Sequence, residues 1–315
     1  MEKNRILAAV DRSEWLNHIV EYMGKAFSPK NSEITLFHVA NPIPEILWDF
    51  HKDPLLHFSM KDAESYFKTY KIDTEKRINE GRKKLIDLGF LEDSVRVKIE
   101  ERKIGIARDI IAEAQKGYDI LIVGRRGESK LRELILGTIA MKIIGRLSKV
   151  PIALVGRENK GKNVLIAIDL SPQAIDLAKS VGKMFQQSGC KIHVIHVLRE
   201  IEKTLSFVDA WESTIPKWYW DALREERERA SGETKKAINK VKKILSSYGL
   251  QAETEIIHGA YSRAEEIVKN AQEKDCHTIV LGRRGISRVE EFFMGRVSTK
   301  VLQLAKDKTV WIMSD

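Results

Sequence analysis

Two stretches of this 315-residue chain carry the residues best suited to hold an anion. The first runs Gly124-Arg125-Arg126-Gly127 and, nine residues later, Gly137-Thr138-Ile139. The second runs Gly282-Arg283-Arg284-Gly285 and, nine residues later, Gly295-Arg296, with Ser298 close behind. Glycine has no Cβ to hold a ligand away from the backbone, so a glycine turn presents bare N–H groups. A helix beginning at Gly137 or Gly295 adds unpaired amides and the positive end of its dipole. Thr138 and Ser298 add hydroxyls. The four arginines inside the turns read either as phosphate contacts or as solvated loop tips. The chemistry of the set is recognition of a phosphate-like group.

The elements that must position these residues are themselves repeated. The glycines recur at an offset of 282 − 124 = 158 residues, and so does much else. Ile6–Val10 ends in Asp11 as Val164–Ile168 ends in Asp169, and both read as strands buried on two faces. Helices follow, opened by Ser13-Glu14 and by Ser171-Pro172, with the serine as cap. Second strands end His38-Val39 and His196-Val197. Long segments then lead to second helices closed by Gly89 and Gly249. Val95, Val97, Ile99 and Ala252, Thr254, Ile256 alternate like edge strands. Third helices, about Ile106–Gln115 and Arg263–Gln272, lead to the glycine strands, Ile120–Val123 and Thr278–Leu281. Last helices lead to fifth strands, Ile152–Val155 and Thr309–Met313. Strands alternating with helices imply right-handed crossovers and a parallel sheet. The expectation is two tandem doubly wound α/β domains of five strands each, residues 1–156 and 162–315, joined by the polar segment Gly156–Lys162.

Bulk properties narrow the function. Lys and Arg total 54 against 45 Asp and Glu, a net charge of +9, but the charges alternate along helical stretches such as Glu225–Lys243 as on a solvated face. No basic run with interleaved aromatics suggests nucleic acid as a partner. Cys190 and Cys276 form neither a disulfide framework nor a zinc motif. The N-terminus does not read as a secretion signal and no apolar run would span a bilayer, so a cytoplasmic protein without a membrane partner is expected.

Familiar catalytic signatures are missing. There is no P-loop, no dinucleotide fingerprint and no nucleophile elbow. Asp11 and Asp169 are placed to position magnesium or water, but no second acid–base group accompanies them, so any hydrolysis should be slow. His38 and His196 occupy matched strand positions, which favours a shared packing or polar role over catalysis. His193 and His196 face opposite sides of one strand, and His51 and His57 have no evident partners, so no metal site is expected. The aromatic segments 41–73 and 199–224 read as extra cover over the sheet, with a ligand lid or partner groove as the sharper alternative.

Over nearly its whole length the chain resembles the universal stress protein family in its tandem form. The resemblance rests on the strands ending in Asp11 and Asp169, on the His-Val pairs, and on two copies of a G-x2-G-x9-G-[S/T] signature. The first copy matches in full; the second carries Arg296 where Ser or Thr is expected. The resemblance implies strand order 3-2-1-4-5 in each domain and ATP at the carboxyl ends of strands one and four. It implies that Asp11 meets the nucleotide near adenine or ribose and that the Val39 backbone reads the adenine edge. Ala9 and Val123 flank the pocket, and Gly124, Gly127, Gly137, Thr138 and Ile139 hold ribose and phosphates. Asp169, Val197, Gly282, Gly285, Gly295 and Ser298 are the counterparts in the second half, where Arg296 is either neutralised by a phosphate or fills the anion site. It further implies that the fifth strands pair within one chain as an internal pseudo-dimer, and it leaves further homodimerisation and protein partners open. The resulting expectation is a cytoplasmic stress-response protein that binds ATP, at least in the first domain, as a regulatory or signalling ligand. The alternatives are a nucleotide-free scaffold or small-ligand carrier, and a slow ATPase or phosphotransferase.

Overall fold

A computed structural model describes residues 3–40, 60–127, 136–158, 161–198, 216–258, 262–283 and 294–314. The chain divides into two compact units, Met1–Gly156 and Arg157–Asp315. The first contains β1 (Asn4–Ala9), α1 (Trp15–Ala26), β2 (Ser32–Ala40), α2 (Met60–Asp87), β3 (Val95–Glu101), α3 (Ile106–Ala114), β4 (Ile120–Gly124), α4 (Thr138–Arg146) and β5 (Ile152–Val155). The second contains β6 (Asn163–Ala167), α5 (Gln173–Phe185), β7 (Ile192–Val197), α6 (Lys217–Ser247), β8 (Ala252–Ile257), α7 (Arg263–Glu273), β9 (Cys276–Gly282), α8 (Arg296–Leu304) and β10 (Thr309–Met313).

Within the units the strands run β3-β2-β1-β4-β5 and β8-β7-β6-β9-β10, and every pairing is parallel. This is the expected order 3-2-1-4-5, twice. Its cause is visible in the side chains. The runs Ile120–Val123 and Ile192–Val197 are buried throughout because helices cover both faces. β3 and β8 lie at an edge and alternate, which is why Arg96, Lys98, Glu253 and Glu255 are tolerated there. Gly89 and Gly249 close α2 and α6 with φ of +99° and +75°. The amides of Phe90 and Leu250 then reach back to the carbonyls of Leu85 and Leu245. Inside the expected linker, the Glu158 N–H donates to the Asp307 carbonyl at 2.8 Å, so this residue is tied to the second unit.

The long helices pack on α1 and α5 through a matched pair of glycines, Gly24 and Gly182. A Cβ at Gly24 would meet the flexible Leu88 Cδ1 at 2.5 Å, whereas one at Gly182 would lie against the Tyr248 ring, with Cγ at 2.8 Å. A tyrosine ring cannot yield near its root as a leucine tip can. Gly24→Ala should therefore be neutral or stabilising, by up to about 1 kcal/mol from helix propensity. Gly182→Ala should destabilise by about 1–3 kcal/mol through overpacking. Denaturant unfolding of the two variants checks this, and equal effects would contradict it.

Candidate ligand-binding site

The chain leaves β1 and β4 beside one another at the point where the strand order reverses, which is where open α/β sheets hold ligands. Ala9, the last residue of β1, pairs with Phe37 on one side and with Val123 on the other. Ala9, Val123 and the β2 residue Val39 thus meet at one end of the sheet, as do Ala167, Leu281 and Val197 in the second unit.

Asp11 and Asp169 shape the turns out of these strands. Asp11 Oδ1 accepts from the Ser13 N–H at 3.0 Å and from the Ser13 hydroxyl. Asp169 Oδ1 accepts from the Ser171 N–H at 3.1 Å and from its hydroxyl at 2.5 Å. Glu14 and Pro172 stand at the cap positions, so the cap expected at Ser171 falls one residue later. The Ser13 hydroxyl donates to Asp11 and still accepts from the first helical amide, Trp15 N–H, at 3.3 Å. Asp169 Oδ2 is buried and has no hydrogen-bond partner among the described residues.

The glycine turn folds over this acid. A Cβ on Gly127 would lie 2.6 Å from Asp11 Oδ2, and one on Gly124 would lie 2.9 Å from the Arg126 carbonyl and 3.0 Å from Trp15 Cβ. Gly137 approaches Arg126 Cα, where a Cβ would sit at 3.3 Å. Gly285 lies outside the described residues.

The amides at the helix starts divide their duties. Gly137 N–H donates to the Arg125 carbonyl at 2.7 Å and Gly295 N–H to the Arg283 carbonyl at 2.8 Å, so the expected use of the Gly137 amide on a phosphate is corrected. The first helical bond of α4 runs from Met141 to Gly137 at 3.0 Å, and among the described residues no side chain caps the turn and no acid lies in it. The amides of Thr138, Ile139 and Ala140 stand ahead of that bond, at the positive end of the helix dipole. In α8, Ser298 Oγ donates to the Gly282 carbonyl at 2.8 Å and holds the helix to the end of β9. Its counterpart in the first unit, Ala140, has no hydroxyl to do this. The side chain of Arg296 is exposed, which does not fit its filling the anion site.

Arg125 and Arg283 are only 1% and 3% exposed, so they are not solvated loop tips, and Arg126 is half-buried. Sequence reasoning also missed a tie from α2 to the loop after β1. The Arg12 guanidinium lies 4.2 Å from the centre of the Tyr70 ring and 3.8 Å from Asp73, and Arg77 Nη1 donates to the Arg12 carbonyl at 3.2 Å. The arrangement belongs to one copy only, since Leu170 replaces Arg12 in the other. The aromatic segments 41–59 and 199–215, with His51 and His57, lie outside the described residues. Among the described residues no cluster of three or more His, Cys, Asp or Glu is placed to hold a metal ion.

The matched histidines have a shared role. His38 Nδ1 lies 2.8 Å from the Val10 carbonyl and His196 Nδ1 lies 2.8 Å from the Ile168 carbonyl. A carbonyl only accepts, so each Nδ1 carries a proton.

The fold defines a doubly wound α/β protein made of two copies. The chain belongs to the universal stress protein family, whose description matches residues 3–156 and 161–312. Universal stress protein YxiE of Bacillus subtilis is 34% identical over 145 residues, covering 45% of this chain and 92% of that protein. A universal stress protein of Mycolicibacterium smegmatis is 22% identical over 305 residues, covering 95% of this chain and 94% of its own length. The crystal structure of a universal stress protein from Archaeoglobus fulgidus superposes with a TM-score of 0.59 at 20% identity, covering 100% of this chain and 99% of that one.

Burial lowers the His196 imidazole below its ordinary value, only partly offset by its bond to Ile168, and burial lowers His193 as well. Unfolded, both rings take up protons near the ordinary value of 6.5. Below that pH the unfolded chain binds more protons than the folded one, so stability should fall on acidification. The carboxylates of Glu113 and Glu100 act in a lower window. Burial would raise Glu113, but Lys116 and Lys98 outweigh it, while hydrogen bonds from Lys98 and Lys103 bring Glu100 to about 2. Their contribution is lost only below the ordinary carboxyl value of 4.5. The urea midpoint of the full chain should be level above the histidine window, decline on entering it, and decline again in the carboxylate window. A midpoint unchanged until the carboxylate window would contradict the assignment of the buried imidazoles.

Proposed function

We propose that this protein is a cytoplasmic stress-response protein that binds ATP as a regulatory ligand at the carboxyl ends of β1 and β4, and at the matching place in the second unit. The observation that carries the reading is the uncapped first turn of α4, with the amides of Thr138, Ile139 and Ala140 beside the glycine turn. Two further features support it. Gly127 is packed so closely on Asp11 that only a residue without a Cβ keeps the carboxylate in place. Asp169 Oδ2 is a buried acceptor lacking a donor among the described residues, which a ribose hydroxyl would supply. Magnesium would accompany the triphosphate, with Asp11 and Asp169 as the nearby carboxylates. Bound nucleotide then alters the surface offered to protein partners. Among the described residues no helix is long and apolar enough to cross a membrane.

Equilibrium dialysis of the purified chain against labelled ATP tests the proposal; no retention at millimolar ligand would refute it. Gly127→Ala should weaken binding to the first unit about tenfold or more by displacing Asp11, a loss of about 1.4 kcal/mol. Arg296→Thr should have two opposite effects. Removing a cation from a helix start should stabilise the ligand-free chain by about 0.3–1 kcal/mol. Removing a phosphate contact should weaken ATP at the second unit. A rise in second-site affinity would overturn the assignment of Arg296 as a contact.

A further inference from the structure

We propose that His38 and His196 are positioning residues for the base of the ligand: by taking the terminal carbonyl of the first strand, each imidazole leaves the backbone of the following valine free to read the base edge. The inference rests on the nucleotide reading above and adds residues to it.

The ladder between β1 and β2 ends with the pair Ala9↔Phe37, and its last rung is the Val10 N–H donating to the Phe37 carbonyl at 2.9 Å. In a parallel ladder the next bond would run from the Val39 N–H to the Val10 carbonyl. No such bond is made; His38 Nδ1–H donates to that carbonyl instead. β2 meanwhile continues to Ala40, paired with β3 as far as Ala40↔Glu101. The direction of its peptide groups follows from neighbouring bonds. The Phe37 carbonyl points toward β1, and the Ala40 carbonyl accepts from Arg102 on the β3 side at 2.8 Å. Residues of one parity face one neighbour, so both the N–H and the C=O of Val39 face the β1 side, beyond the point where β1 has ended. They form a donor and an acceptor at the switch point, the pattern that complements a ring nitrogen beside an exocyclic amine.

The second unit repeats the arrangement independently. The β6–β7 ladder ends at Ala167↔Ile195, with the Ile168 N–H donating to the Ile195 carbonyl at 3.0 Å. His196 Nδ1–H takes the Ile168 carbonyl, and β7 runs on to Val197, paired with Ile257 of β8. The Leu198 N–H donates to the Ile257 carbonyl at 2.8 Å, which places Val197 toward β6. Both rings are buried, at 5% and 6% exposure, and His38 Nε2 has no hydrogen-bond partner among the described residues. The rings therefore lie behind the backbone they free and do not touch the ligand themselves.

The test uses the full chain with both histidines changed together, as His38→Asn with His196→Asn and as His38→Phe with His196→Phe. Asparagine keeps an N–H near the place of Nδ1; phenylalanine keeps the ring and loses the donor. Calorimetric titration with ATP and with inorganic tripolyphosphate separates reading of the base from reading of the phosphates. The phenylalanine pair should lose about tenfold or more in ATP affinity. The asparagine pair should stay within about threefold of the native chain. Tripolyphosphate affinity should not change in either. ATP and tripolyphosphate weakening together, or a phenylalanine pair that binds ATP normally, would overturn the proposal. Failure of the native chain to bind ATP overturns the nucleotide reading itself. Nitrogen-15 spectra of the native chain provide a measurement independent of whether the variants fold. Both imidazoles should be protonated at Nδ1, and the Val39 and Val197 amides should shift with ATP and stay unmoved by tripolyphosphate. An Nε2–H tautomer, or valine amides indifferent to ATP, would overturn it.

Discussion

A parallel ladder has to end, and the groups it leaves at its end must find partners. In both units β1 or β6 stops while its neighbour β2 or β7 runs on. The stub carbonyl of Val10 or Ile168 is met by an imidazole, and the turn that follows is closed by an aspartate on a serine. Nearly everything distinctive about the site follows from these closures. They part the first strand from the second and set Asp11 and Asp169 in the turns that follow, and in the first unit the glycine turn packs onto the acid. The fold is common to many α/β domains; the way its central strand terminates is what gathers these groups.

The glycine signature serves packing and recognition through the same atoms. Gly124 allows α1 to approach through Trp15, and Gly127 allows the turn to approach Asp11. That close approach carries the chain to Gly137, whose amide is held by the Arg125 carbonyl, and so presents the next amides of α4. Packing as an explanation for these glycines therefore does not compete with ligand binding. The two copies differ at the helix starts. Thr138 gives way to Arg296, and Ala140 gives way to Ser298, whose hydroxyl bonds the Gly282 carbonyl. The second copy has a more firmly tethered helix and an added cation at its start, which are grounds to expect unequal behaviour from two sites of one ancestry.

Much of this was legible in the residues because buried strands and helix ends obey local rules. Continuous apolar runs in β4 and β7 announced cover on both faces, and Gly89 and Gly249 announced helix ends that their positive φ values then required. The cap expected at Ser171 falls one residue later, at Pro172, and the Ser171 hydroxyl is engaged by the aspartate two residues earlier. Of the two readings open for the turn arginines, burial removes the solvated loop tip for Arg125 and Arg283, which an arginine at a glycine turn does not announce in sequence. The tie between Arg12 and Tyr70 spans nearly sixty positions of sequence and carries no local signature.

The sequence by itself determined the duplication, the alternation of strands and helices, the family, and the residue types gathered at the switch point. These are written in periodicity and in spacing, which need no knowledge of what lies opposite. Tertiary structure alone decided which amides the helix starts leave ahead of their first bond, which hydroxyls are already engaged, and which carbonyls the two matched histidines bond. Those depend on where a hydrogen bond finds its nearest partner, and the partners come from strands and turns far apart in the chain.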